Sequence, residues 1–290
     1  MSARVTTRFA PTPSGPLHVG HLLAALQARR LADAHGGRAL LRIEDIDLRA
    51  RDPQWVELMH QDLEWLGLHF DGEVLVQSRR FGVYAAALRR MRDMGLLYPC
   101  FCTRGEIKAQ IAEMDRAPHA SLGYLYPGTC KHFPPDLVQE KLAAGLPHSW
   151  RIDMEKAQDL LGCPLWQDLH RGVQRCVPTE YGDVVLARKE LPASYHLSVV
   201  VDDAAQGVTH VTRGEDLFDA TNIHRVLQGV LALPVPLYCH HALLRDNAGK
   251  RLAKRDGARS LASLRAAGYT PARVLTSLRL ALSRGGIWEG

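Results

Sequence analysis

No run on the order of 18 consecutive apolar residues occurs anywhere in the 290-residue chain, which excludes a transmembrane helix. Met1 to Thr7 lack an apolar core of signal-peptide length, so no secretory leader is expected. Internal repeats and low-complexity tracts are missing too, which argues against a solenoid or a disordered array. Neither sign of charge dominates. The formal net charge is +5, an excess that permits an anionic partner without requiring one. Cysteine is sparse, with six residues in the whole chain, and disulfides are not expected among them. What is present is ordinary for a globular protein: 46% hydrophobic and 23% charged residues. The expected location is the cytoplasm, and the length suits one large domain with an insertion, or two domains.

Hydrophobic periodicity and turn residues divide the chain. Val5 to Phe9 reads as a short strand. Pro11, Pro13 and Gly15 force a loop, and a helix from about His18 to His35 follows, closed by Gly36-Gly37. Ala39 to Ile43 is the next strand, so the unit is strand, loop, helix, strand, the signature of a parallel α/β sheet. Asp52 as N-cap and Pro53 at the first turn open a second helix with Val56, Met59, Leu63 and Leu66 as its apolar stripe. A third helix spans about Phe81 to Met94. From Tyr98 to about Leu191 the pattern becomes irregular, and the cysteines concentrate there; this segment is expected to be an insertion. Regular α/β character returns at Leu197 to Val201 and Val208 to Thr212. Asp216 to Val230 is expected to be helical and Leu237 to Leu244 a strand. Leu261 to Ile287 holds two helical stretches broken near Gly268 and Pro271. The expected organisation is therefore 1–97 and 192–260 as two halves of one nucleotide-binding fold, 98–191 as the insertion, and 261–290 as a short helical segment.

Two stretches carry chemistry. Pro13-Ser14-Gly15-Pro16-Leu17-His18-Val19-Gly20-His21 joins the first strand to a helix N-terminus. Unpaired backbone N–H groups and the helix dipole make such a junction a phosphate site. His18 and His21 share one face of the first turn and can donate to phosphate oxygens as charge builds in a transition state. Alone, a His-x-x-His pair fits a metal site or two surface histidines equally well; its position at the junction decides for the nucleotide. The second stretch is Arg251-Leu252-Ala253-Lys254-Arg255, flanked by Asn247, Gly249 and Gly257. From Arg245 to Arg265 seven basic residues face two acidic ones. A glycine-flanked basic loop suits closure over a triphosphate, with a lysine as point charge.

With these stretches in view, the chain resembles the class I aminoacyl-tRNA synthetases. His18-Val19-Gly20-His21 resembles their HIGH motif, and Arg251 to Arg255 a divergent KMSKS motif. Arg8 to Gly15, Leu41-Arg42-Ile43-Glu44-Asp45, Val200-Val201-Asp202-Asp203 and Arg213-Gly214-Glu215-Asp216-Leu217 resemble phrases of the glutamyl branch, in the same order. Only Asp256 to Gly290 follow the KMSKS-like loop, too little for the anticodon-binding region of glutamyl-tRNA synthetases. In this the chain resembles the truncated paralogues, the glutamyl-queuosine tRNA(Asp) synthetases.

The resemblance implies a Rossmann-like catalytic domain with a parallel sheet, an inserted zinc-bearing subdomain of the acceptor-binding type, and no anticodon-binding domain. It implies activation of glutamate by ATP without tRNA, with Mg²⁺ arriving on the ATP, then transfer of glutamate to queuosine in the anticodon loop of tRNA(Asp). Arg8, Phe9, Ala10, Pro11 and Thr12 match the segment lining the glutamate site. Glu44 matches the residue facing the ammonium group, Tyr195 the pocket tyrosine, and Arg213, with Arg8, a cation suited to the carboxylates. His18, Gly20 and His21 match residues at ATP, and Lys254 the lysine of the mobile loop. Each has a structural alternative: Glu44 pairing with Arg42, Tyr195 in the core, Arg213 in a surface ion pair. Glu44, Asp45 and Asp47 are not expected to hold a dedicated magnesium. The loop departs from its pattern at Arg251 and Ala253, where the serine hydroxyl is lost. The rival enzyme is a minimal glutamyl-tRNA synthetase acting on a tRNA 3′ end; the rival without catalysis is an RNA-binding paralogue. A monomer with no membrane partner is expected.

Cys100-x-Cys102 with Cys130 offers three thiolates to a structural zinc, which prefers four ligands. Spacing alone leaves the fourth open among His119, His132, Tyr126 and water. The resemblance implies Tyr126. Cys163, Cys176 and Cys239 lack such spacing and read as small buried side chains.

Overall fold

The computed structural model describes residues 4–47, 52–112, 119–120, 123–246 and 259–288, with side-chain surroundings left aside at 119–120 and 123–124. The first half runs β1 (Thr6–Phe9), α1 (Val19–Ala34), β2 (Arg38–Ile43), α2 (Pro53–Trp65), β3 (Leu75–Val76) and α3 (Phe81–Asp93). Next come β4 (Leu97–Cys100), α4 (Arg104–Ala112), β5 (His119–Ala120), β6 (Gly123–Tyr124), α5 (Pro135–Ala143), β7 (Ser149–Ile152), α6 (Met154–Leu161), β8 (Leu165–Asp168), β9 (Gly172–Arg175) and β10 (Val185–Ala187). The chain closes with α7 (Tyr195–Ala205), β11 (His210–Gly214), α8 (Ala220–Val230), β12 (Leu237–His241), α9 (Leu261–Ala266) and α10 (Pro271–Ser283).

Two parallel sheets carry the fold. β1, β2 and β3 pair in parallel, with Phe9 opposite Leu41 and Ile43 opposite Val76. β11, β12 and β8 pair in parallel, and β9 adds an antiparallel edge. The sheets meet where β1 lies beside β11: Thr209 N donates to Thr6 O at 2.9 Å, and Thr6 N to Thr209 Oγ1 at 2.8 Å. Every residue of β1 is buried, as expected for a strand covered on both faces. The carboxyl ends of β1 and β11 open on one crevice, the position at which open α/β sheets bind ligands.

The elements follow from local chemistry. Asp52 caps α2 by accepting from Gln54 N at 3.1 Å, Ser194 caps α7, and Thr270 with Pro271 starts α10. Gly36, at φ 57°, ends α1 in the left-handed region. Leu197 to Val201 proves to be helix, because Ser194 supplies an N-cap to α7. The strands described in the expected insertion divide among three sheets: β4, β7 and β10 form a small antiparallel sheet, β5 and β6 pair by themselves, and β8 and β9 join the second parallel sheet. The short strands, broken by Gly162, Gly172 and Gly182 at positive φ, leave no long period to read.

Two apolar cores follow this plan. One gathers Phe9, Leu22, Ile43 and Met59 with Leu264, Val274 and Leu278, so the C-terminal helices pack on the first sheet. The other joins Tyr84, Met91, Ile152, Trp166, Leu197, Ile223 and Tyr238 beneath the second.

Candidate active site

The loop after β1 and the N-terminus of α1 form one wall of the crevice. His18 is the N-cap: its Nδ1 accepts from Gly20 N at 3.0 Å, while His18 N donates to His21 Nδ1 at 3.1 Å. The two rings lie 3.9 Å apart. This is a reciprocal capping box built from histidines. Because both Nδ1 atoms accept, a neutral ring at either position carries its proton on Nε2, the arrangement of a donor. The Cβ that an alanine would add at Gly20 falls 2.8 Å from His18 Cε1, so glycine is needed for the ring to fold back. Ser260, at the far flank of the KMSKS-like segment, pairs with His18 in an antiparallel bridge, and Leu261 N donates to Leu17 O at 2.8 Å. Arg251, Ala253 and Lys254 lie outside the described residues.

A cavity of about 230 Å³ opens here, lined by Arg8, Phe9, Ala10, Pro11, His18, Gly20, His21, Glu44, Tyr195 and Arg213 among others. Thr12 lines instead an adjoining cavity that shares Glu44 and Tyr195 as its wall. Residues far apart in sequence therefore converge on one crevice.

The cavity floor is a buried polar network. Asp203 Oδ1 accepts from Arg8 Nε at 2.9 Å and from Arg42 Nη1 at 2.7 Å. Arg42, wholly buried, also donates through Nη2 to Glu44 Oε1 at 3.1 Å. Glu44 thus both pairs with Arg42 and faces the cavity. Its burial, partly offset by Arg42 and Arg8, raises its carboxyl above the usual range. Asp203 is held below the usual range because Arg8 and Arg42 outweigh its burial. Its neighbour Asp202 ties α7 to α3, accepting from Tyr84 Oη at 2.7 Å and Arg80 Nε at 2.7 Å.

Arg213 is 4% exposed. Its Nε donates to His240 Nε2 at 3.2 Å, Nη1 meets His224 Nδ1 at 3.1 Å, and Nη2 donates to Thr221 Oγ1 at 2.6 Å. Nη1 also approaches the Tyr195 hydroxyl at 3.5 Å. Among the described residues no carboxylate lies within ion-pair distance of Arg213. The nearest in the network is Asp168, reached through His240, whose Nδ1 is 2.7 Å from Asp168 Oδ2. His224 continues to His196, with Nε2 at 3.2 Å from His196 Nδ1. Sequence reading found none of Asp168, His196, Thr221, His224 and His240, because no motif or spacing marks them. Asp45, next to Glu44, accepts from Ser78 N at 2.8 Å.

The thiols of Cys100, Cys102 and Cys130 all lie within 4.8 Å of one another. Cys100 and Cys102 leave β4, and Cys130 sits in the 3₁₀ turn Thr129–His132. The Tyr126 hydroxyl is 3.4 Å from Cys100 Sγ and 3.6 Å from Cys102 Sγ. A tetrahedral thiolate site with zinc–sulfur bonds of about 2.3 Å spaces its ligand atoms roughly 3.8 Å apart, so the three sulfurs and the phenol fit such an ion. His132 is not part of the group, and the side chain of His119 lies outside those described. Burial pushes the Cys102 thiol up to about 11, with the neighbouring thiols adding to the shift against the Tyr126 hydrogen bond. Crowding of three thiols is what a cation relieves.

The family described as tRNA synthetases class I (E and Q), catalytic domain, matches residues 4–285. A glutamyl-Q tRNA(Asp) synthetase from Rhodobacter capsulatus is 51% identical over 274 residues, covering 92% of this chain and 97% of that protein. One from Nocardia farcinica is 43% identical and covers 93% and 82%. Among solved structures, a glutamate tRNA ligase from Elizabethkingia meningosepticum in complex with its amino acid superposes with a TM-score of 0.78 at 27% identity, over 92% of this chain. The chain spans 59% of that structure.

Proposed function

For a chain that belongs to the class I synthetase family of glutamate and glutamine, and within it to the glutamyl-Q tRNA(Asp) synthetases, we propose glutamate activation by ATP at the crevice between β1 and β11. The acceptor of the second step is queuosine of tRNA(Asp). One observation carries the first step. A buried guanidinium surrounded by neutral partners, Arg213, lines the same small cavity as a buried carboxylate, Glu44, next to a helix N-terminus. A ligand bearing both carboxylate and ammonium satisfies both groups, and a phosphate satisfies the third.

In this reading Glu44 takes the ammonium group, Arg213 and Arg8 take the carboxylates, and the Tyr195 hydroxyl completes the pocket. Phe9, Ala10 and Pro11 shape its wall, and Thr12 its neighbouring chamber. The α-carboxylate oxygen attacks the α-phosphorus of ATP as the bond to pyrophosphate breaks. His18 and His21, with Nδ1 tied to the backbone, supply Nε2–H donors toward the phosphates, and Gly20 allows the close approach. Lys254 supplies a further cation. The protein's contribution is orientation and charge, both preorganised. Transfer then joins the glutamyl carbon to a hydroxyl oxygen of the cyclopentene ring, releasing AMP and the hydroxyl proton.

Cys100, Cys102, Cys130 and Tyr126 would hold one zinc ion, which supplies a structural cross-link between β4 and the 3₁₀ turn. The RNA partner is supported by a basic, aromatic cleft of the antiparallel sheet, where Arg89, Arg92, Arg188 and Lys189 surround His148 and Trp150. Arg92 lies 5.8 Å over the Trp150 ring. Such a surface suits phosphates with unpaired bases between them.

Glutamate-dependent ATP–pyrophosphate exchange without tRNA tests the first step; its absence with and without tRNA refutes activation. Transfer to tRNA(Asp) with and without queuosine tests the second; equal labelling removes queuosine as acceptor.

A further inference from the structure

An arginine has five N–H donors and no acceptor. Any nitrogen within hydrogen-bond reach of Arg213 must therefore present a lone pair. His240 Nε2 lies 3.2 Å from Arg213 Nε, so that ring, when neutral, carries its proton on Nδ1, where Asp168 Oδ2 receives it at 2.7 Å. His224 Nδ1 lies 3.1 Å from Arg213 Nη1, so its proton is on Nε2, directed at His196 Nδ1 at 3.2 Å. The order runs without a clash of donors: Asp168 accepts from His240, His240 accepts from Arg213, His224 accepts from Arg213, and His196 accepts from His224. Thr221 Oγ1 takes a third N–H at 2.6 Å. What remains is one N–H of Nη2 and the long 3.5 Å approach to the Tyr195 hydroxyl, on a residue that lines the cavity.

We propose that His224 and His240 are positioning residues, fixed in opposite tautomers, which orient the Arg213 guanidinium without neutralising it and so keep its charge for a carboxylate of the substrate. A carboxylate partner in their place would hold the side chain equally well but cancel its charge. Neutral imidazoles supply the same geometry and leave the field intact, and they are strong acceptors in a buried site. Burial, with the Arg213 charge acting in the same direction, keeps His224 neutral well below its ordinary range. Asp168 anchors the outer end, accepting also from His170 N at 2.8 Å and Arg171 N at 2.9 Å. That the ligand is glutamate rests on the function proposed above; the tautomers do not.

The tautomers are read from long-range ¹H–¹⁵N correlations of histidine-labelled full-length protein, near neutral pH and without substrate. The expected result is Nδ1–H for His240 and Nε2–H for His224. The opposite tautomer or an imidazolium at either ring overturns the proposal whatever the enzyme does. The second arm compares His224→Leu, which removes the acceptor, with His224→Asn, whose amide oxygen replaces Nδ1. An unpaired buried N–H costs enough to weaken the glutamate KM roughly ten- to a hundredfold in His224→Leu. The ATP KM should stay near that of the parent, and His224→Asn should recover most of the loss. An unchanged glutamate KM in a folded His224→Leu protein, checked by circular dichroism, refutes the positioning role. If the parent shows no glutamate-dependent exchange at all, the function fails while the tautomer result still stands or falls by itself.

Discussion

Replacing His240 by glutamine should flatten the acid limb of the stability curve. His240 is 5% exposed, and burial, reinforced by the Arg213 and Arg171 charges and opposed by Asp168, lowers it from 6.5 to about 4. The folded protein thus keeps the ring neutral where the unfolded chain takes a proton. Stability is fully present above the unfolded value near 6.5 and is lost as the pH falls toward 4. Between about pH 7 and about pH 5 the single ring accounts for a loss of roughly 2 kcal/mol. Glutamine keeps an acceptor toward Arg213 and cannot titrate. Urea unfolding of both proteins at the two pH values gives the difference directly. Asp62, which burial pushes up to about 6, titrates in the opposite sense but is common to both proteins and cancels. The expected outcome is a variant less stable at neutral pH whose further loss on acidification is smaller by about 2 kcal/mol. Equal losses in the two proteins would show that His240 does not resist protonation in the fold.

Gly20→Ala should lower ATP–pyrophosphate exchange at least about tenfold, because the new Cβ displaces the His18 ring, and should cost roughly 1 kcal/mol through the lost cap; unchanged kcat and Tm refute this. Metal analysis of the purified protein should return one zinc per chain, and Cys130→Ser should abolish that stoichiometry and lower Tm; full zinc content in the variant would exclude Cys130 as a ligand. Tyr84→Phe strips a hydrogen bond from the buried Asp202 carboxylate and should destabilise by about 1–3 kcal/mol in urea melts, with glutamate KM unmoved. Arg188→Glu should weaken tRNA binding and reduce the magnitude of its salt slope by about 1; a slope identical to the parent's removes the cleft from the RNA surface.

Local features of the site were legible in the sequence and long-range ones were not. Pro11, Pro13, Gly15 and His18 mark a strand-to-helix junction because each acts on its own stretch of backbone, and β1 and α1 fall where that chemistry sets them. The thiols could be grouped from spacing, but the phenol of Tyr126 is a weak ligand by type and only the fold brings it within 3.4 Å of Cys100 Sγ. Arg8 and Arg213 could be named as cations, yet what governs their charge lies far off in the chain. Asp203 is 195 residues from Arg8 and 161 from Arg42, and Asp168 is 72 from His240. Periodicity reports which face of an element is buried and says nothing of which buried polar groups meet. The β8–β9 edge escaped for another reason: four-residue strands between glycines have no period to detect.

The charges gathered around the cavity explain why this unreadable part matters. Among the described residues of this network, Arg8, Arg42 and Arg213 are buried cations, and Glu44, Asp203 and Asp168 are buried anions. Asp203 is shared by Arg8 and Arg42, and Arg42 donates further to Glu44 and to Gln206 Oε1. Arg213 differs from the other two in that, among the described residues, it meets no carboxylate directly, Asp168 lying one imidazole away. Isolated buried charge is costly, and a fold tolerates it where a ligand completes the balance. Under the function proposed above, the second carboxylate of a dicarboxylate amino acid gives Arg213 the direct anionic partner that the protein withholds. An amide side chain in place of the second carboxylate does not, and it leaves Arg213 facing a neutral group. Discrimination between acid and amide in this pocket is on this account a property of the neutral histidines that refuse to neutralise the arginine, as much as of the arginine itself.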